Sequence, residues 1–147
     1  MMGADLYIRP IVEQQRNRYV AQYEHWIQLR DQATTEVGQL HAQLRANRFF
    51  DLMYAKGYFR DSYNEHNLLA KFGLTWWQDV GARLTVTGFL PPTQVRWLMQ
   101  ALEERKRTFW SMIVRDPDWA SYWRRDRQLR AFLRQALQRN EAIECSL

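Results

Sequence analysis

Residues 57–67 read G-Y-F-R-D-S-Y-N-E-H-N and hold the densest set of chemically capable side chains in the chain. Asp61, Glu65 and His66 could supply an acid and a base, with Arg60 to hold an anion, if they converged on one reacting group. The same residue types also build turns. Gly57 can leave a helix, and Asp61, Ser62 and Asn64 have short side chains that bond nearby backbone N–H groups. Glu65 would then fall in the first turn of the next helix, where a negative charge is favoured. A structural turn is therefore the first reading. A partner-binding loop made of Tyr58, Arg60, Asp61, Tyr63 and His66, with Trp76 and Trp77 beside it, is the second. A catalytic site at Asp61, Glu65 and His66 is the third.

Elsewhere the chain offers little for catalysis. It has no G-x-S-x-G, no P-loop and no G-x-G-x-x-G. His25, His41 and His66 are far apart, and none has a second ligand at the i, i+3 or i+4 spacing of a zinc helix. His41, between Val37 and Leu44, reads as a core or boundary histidine. Cys145 is the single cysteine. It allows no internal disulfide and reads as a free thiol in a tail. No metal and no cofactor is expected.

A second constellation lies near the C-terminus. Residues 105–139 hold ten Arg or Lys against three acids, a surplus of seven. Arg124, Arg127, Arg130 and Arg134 recur three, three and four residues apart, so they share one side of a helix. Such a stripe can neutralise phosphates, and Trp110, Trp119 and Trp123 could add stacking. The commoner fate of such a run is a solvated or ion-paired face, and Asp126 is placed to pair with Arg130 at i, i+4. Arg makes up all but Lys56, Lys71 and Lys106 of the 21 basic residues. A coding bias explains that excess more simply than an anion-binding role.

The elements that must position these residues read as helices. Pro10 opens the first, with Tyr19, Tyr23, Trp26 and Ile27 on one face. Thr34 or Thr35 caps the second, or one bent helix runs over 11–56. Val37, Leu40 and Leu44 are expected to form its inward stripe, continued by Phe49, Leu52 and Met53. Asn64 caps a short piece carrying Leu68, Leu69 and Phe72, which Gly73 stops. Thr75-Trp-Trp-Gln78 is a capping box that starts a helix with Trp77, Val80 and Leu84 inward. Trp76 and Trp77 point about 100° apart on a helix, so one of them must lie at a boundary or in solvent. Pro91-Pro92-Thr93 opens a helix running through Val95, Leu98, Leu102, Phe109 and Ile113, with Trp97 off that line. Asp116-Pro117-Asp118 starts the last helix, which is expected to bury Trp119, Tyr122, Leu129, Phe132, Leu133 and Leu137.

The fold expected is thus an all-α bundle of about five or six helices with a short extended arm over 4–9, as a single domain over 1–147. A chain of 147 residues with 46% apolar and 25% charged residues can build a core without staples. No apolar run is long enough to span a membrane, and no secretory signal or lipidation motif is evident, so a cytoplasmic setting is expected.

The stretches M-G-A-D-L-Y-I, M-Y-A-K-G-Y-F-R-D-S-Y-N, N-L-L-A-K-F-G-L-T-W-W-Q-D-V and I-E-C-S-L together resemble a family of uncharacterised small bacterial and phage-borne proteins. The resemblance implies a bacterial or prophage setting and carries no activity, cofactor or site residue. The function expected is non-catalytic binding of a protein partner or of a second copy as a homodimer, with a phage-associated regulatory role compatible. Nucleic-acid binding through Arg124, Arg127, Arg130 and Arg134 is the alternative, and an enzyme around Asp61, Glu65 and His66 the second.

Overall fold

A computed structural model describes residues 3–62 and 66–147. Tyr63, Asn64 and Glu65, which the sequence reading placed in the loop and its helix cap, lie outside the described residues. The contacts divide the chain into two compact units. One joins residues 3–8 to the described part of 59–147, and the other is residues 9–58.

The first unit corrects the all-α expectation. The protein is mostly helical but also holds a four-stranded sheet, in the order β2-β1-β4-β3. The strands are β1 (Gly3–Tyr7), β2 (Tyr58–Ser62), β3 (Phe89–Leu90) and β4 (Ile143–Ser146). β4 is antiparallel to β1, with Leu6 opposite Cys145, and antiparallel to β3, with Leu90 opposite Ile143. The extended arm thus docks on a sheet, and the 57–67 stretch opens with a strand where a turn was expected. Period-two alternation drives β1: Ala4, Leu6 and Ile8 are buried and the residues between them are half-buried. Gly3 permits the close approach of β1 to β2, because a Cβ there would sit 2.7 Å from the Asp61 carbonyl oxygen.

Three helices pack in this unit: α3 (Pro92–Glu104), α4 (Lys106–Ile113) and α5 (Trp119–Gln138). The single helix expected over 92–113 breaks at Arg105, whose φ of −98° and ψ of 15° leave the helical region. Arg105 donates an Nη1–H to the Phe72 carbonyl at 3.4 Å. Phe72 and Phe109 stack at 4.4 Å in the core beside fully buried Leu98, Leu102, Ile113 and Leu129. Trp97 lies half-buried with the Arg83 guanidinium 3.6 Å above its ring. The Asp116 carboxylate accepts the Asp118 N–H at 2.8 Å and closes the turn that leads into α5. Trp119 is exposed, not buried as expected, because Tyr122, Asp126, Leu129 and Leu133 set the inward face.

The second unit is a helical hairpin of α1 (Arg9–Gln32) and α2 (Glu36–Met53). Thr35 caps α2, its Oγ1 accepting the Gly38 N–H at 3.0 Å. The chain therefore breaks there and does not run as one bent helix. The seam is aromatic on α1 and mixes rings with small residues on α2. Tyr19 meets Phe49, Tyr23 meets Phe50, and Trp26 meets the edge of His41. Ala42 and Ala46 are buried. The expected inward stripe is overturned: Val37, Leu40 and Leu44 are 80%, 61% and 59% exposed. At about 100° per residue, their mean direction lies about 180° from that of Ala42, Ala46, Phe49 and Met53. α2 therefore has two apolar faces, and the rings of α1 cover the one where Ala42 and Ala46 leave room between Phe49 and Met53.

Candidate functional site

β2 delivers the most enclosed charge among the described residues. Alternation along the strand turns Phe59 and Asp61 inward and leaves Arg60 exposed. The Asp61 side chain has no exposed surface. Its Oδ1 accepts the N–H groups of Ser62 at 3.0 Å and Leu68 at 2.9 Å, and an Nη2–H of Arg125. Its Oδ2 accepts the Leu69 N–H at 3.1 Å and the Trp76 indole N–H at 2.7 Å. A carboxylate offers about four acceptor sites, so five donors leave none for a substrate or a proton in transit.

The surrounding loop is held in the same way. Asn67 Oδ1 accepts the Ala70 N–H at 2.6 Å and starts the turn Leu69–Phe72. Gly73 ends that turn at φ 73°, as its sequence position suggested. The Tyr122 hydroxyl donates to the His66 carbonyl at 3.1 Å, and Lys71 Nζ lies 5.0 Å over the Tyr122 ring. Burial raises the Tyr122 phenol above its ordinary range, and the Asp116 and Asp118 charges push the same way. Thr75 Oγ1 accepts the Gln78 N–H at 3.2 Å, as a capping box requires. The reciprocal bond comes from Asp79, whose Oδ2 accepts the Thr75 N–H at 2.8 Å. The element that follows is a π-type turn, Trp76–Val80, and not an α-helix. It buries Trp76 and leaves Trp77 70% exposed, the reverse of the inward Trp77 expected.

The seven residues of the expected partner-binding loop are thus divided. Asp61 and Trp76 are interior. Tyr58 is half-buried and meets the Tyr54 ring edge-on at 5.6 Å. Arg60 pairs with Asp5 at 3.7 Å. His66 and Trp77 are on the surface, and Tyr63 lies outside the described residues. For the catalytic reading, Asp61 is enclosed and saturated, and Glu65 lies outside the described residues. Among the described residues, no three His, Cys, Asp or Glu side chains are grouped to hold a metal ion. Cys145 is a buried strand residue and not a tail thiol, and desolvation pushes its pKa up to about 12.

The C-terminal arginine stripe is also divided. Arg130 is taken up by Asp126 and Glu103, each at 2.8 Å, and by the Leu102 carbonyl at 3.3 Å. The Asp126 pair is the one its i, i+4 spacing predicts. Arg124, Arg127 and Arg134 remain exposed on α5. No described helix is long and apolar enough to cross a membrane.

The hairpin supplies what sequence reading missed. Val37, Leu40 and Leu44 form an apolar line along the outer face of α2. Leu40 borders an open hollow of about 600 Å³ rimmed by Arg30, Asp31, Glu36, Gln39 and Gln43. An apolar centre with a polar and charged rim is the composition of a binding surface. The signal was present in the sequence as a helical stripe, and it was assigned to the core because periodicity does not say which of two apolar faces is covered. Comparison with protein-family models, curated proteins and solved structures finds no match.

Proposed function

We propose that this protein is a non-catalytic protein-binding module that engages its partner through the outer face of α2. The observation that carries this reading is the exposure of Val37, Leu40 and Leu44 at helical spacing, opposite the seam that α1 covers. Single exposed leucines need no explanation, but a contiguous helical line of them is the feature that docks in a partner's groove. Burying a Leu or Val side chain contributes roughly 1.5–3 kcal/mol. Three such residues yield less than the upper range of the roughly 4–15 kcal/mol that association costs. The contact therefore extends onto the polar rim around Leu40.

The partner is another protein or a second copy of the chain. The bacterial or prophage setting implied by the sequence resemblance would make it a host or phage protein, and that identity rests on the resemblance alone. The test is affinity capture in the presence of nuclease, with quantitative mass spectrometry, comparing the native chain with Leu40→Glu/Leu44→Glu. Proteins, or untagged copies of the chain, retained by the native form and lost from the variant support the reading. An unchanged set retained by both defeats it.

A further inference from the structure

We propose that one flank of α5 binds single-stranded nucleic acid, stacking bases on Trp119 and Trp123 and phosphates on Arg124, Arg127 and Arg134. At about 100° per residue, Trp119, Arg130, Trp123, Arg134 and Arg127 fall within about 80° of arc, and Arg124 lies about 60° further round. This flank borders the buried face of Tyr122, Asp126, Leu129 and Leu133 but is not part of it. Trp119 and Trp123 are 50% and 38% exposed. The Arg127 guanidinium lies 4.8 Å over the Trp123 ring, which orients a cation against an aromatic platform before any ligand arrives.

The charges on this flank are available. Arg124, Arg127 and Arg134 make no ion pair among the described residues, whereas Arg125 and Arg130 are consumed by Asp61, Asp126 and Glu103. Of the residues the sequence suggested for this role, Arg130 is lost to ion pairs and Trp110 lies on α4, so Trp119, Trp123, Arg124, Arg127 and Arg134 remain. Asp116 and Asp118 lie just before Trp119, so phosphates are disfavoured at that end. The bases then sit over the tryptophans, and the backbone tracks toward Arg134. From Trp119 to Arg134 the helix rises about 22 Å, with the two rings toward its start and the cations following.

Chemistry favours a single strand over the other polyanions. A duplex hides its base faces, so the indoles would gain nothing from it, whereas unstacked bases use them fully. An acidic protein would use the arginines, but apart from the indoles this flank carries one large apolar side chain, the half-buried Leu137, among Ala120, Ala131 and Gln138, a thin anchor for a protein partner. Three neutralised phosphates give a log–log salt slope of about −2 for a single strand, or about a 20-fold loss from 50 to 200 mM salt.

The experiment is fluorescence anisotropy with a labelled oligothymidine, a labelled duplex of equal length, and polyglutamate as competitor. Expected are tighter binding of the single strand than of the duplex and a slope of about −2. Trp119→Ala and Trp123→Ala each weaken binding about five-fold or more without changing the slope. Arg127→Ala and Arg134→Ala each flatten the slope by about 0.7. All four residues are exposed, so circular dichroism should be unchanged, and Arg16→Ala on the hairpin is a neutral control. Absence of binding at low salt overturns the proposal. Equal affinity for the duplex, or displacement by polyglutamate at equal charge concentration, also overturns it and reassigns the flank to duplex or to an acidic protein.

Discussion

An Nη2–H of Arg125 donates to Oδ1 of Asp61, joining the last helix to a carboxylate that has no exposed surface. The two residues are 64 positions apart in sequence. Around this carboxylate β2, the backbone at Leu68 and Leu69, and Trp76 are tied to α5. That arrangement also gives Asp61, at the centre of the most chemically suggestive stretch, a structural task, since the carboxylate accepts five hydrogen bonds from the protein itself.

Breaking this pair should be costly. Removing one partner of a buried ion pair destabilises by roughly 3–5 kcal/mol, because the other charge is left enclosed. Arg125 is partly exposed, so Arg125→Met should fall below that range while Asp61→Ala reaches it. Urea unfolding monitored by tryptophan fluorescence measures both. A loss under about 1 kcal/mol for Asp61→Ala would contradict the structural role.

The two faces of α2 should respond in opposite ways. Leu40→Ser and Leu44→Ser change exposed positions and should leave stability within about 0.5 kcal/mol. Ala46→Leu adds bulk to the closed seam and should cost roughly 1–3 kcal/mol by overpacking. Thermal unfolding of the three variants checks this, and a large loss for the leucine variants would return the stripe to the core.

Cys145 should give a pH signature. Its folded pKa of about 12 lies above the ordinary value of 9.0, because burial penalises the thiolate. The stability linked to this thiol is then fully present below about pH 9 and lost as pH rises toward 12. Cys145→Ala should flatten that part of the stability profile. In the native protein at pH 8, Ellman's reagent should modify the thiol slowly, and in urea quickly. Fast modification of the folded chain would contradict its burial.

Local signals were legible in the sequence and non-local ones were not. Thr35, Gly73 and Thr75 mark element ends through bonds to near neighbours, and Pro92 through its fixed φ, so their residue types suffice. Asp116 bonds the Asp118 N–H, but the last helix starts later than expected, at Trp119 after Asp118. The extended arm was legible, but the sheet it joins was not, because each strand has five residues or fewer and β1 finds its partner β4 at the far end of the chain. Trp76 turns inward and Trp77 outward because Asp61 supplies an acceptor for one indole, which neither tryptophan's own neighbours reveal. The outward leucines of α2 were misplaced for the same reason. Tyr19, Tyr23 and Trp26 on α1 decide which apolar face is covered.

The outer face of α2 is tested most directly by installing a photo-crosslinking amino acid at Leu44, with Gln28 on α1 as an exposed control, in cells that express the chain. The expected result is a discrete protein adduct from position 44 that position 28 does not give, and that Leu40→Glu abolishes. The same adducts from both positions, or none from position 44, would contradict binding through this face.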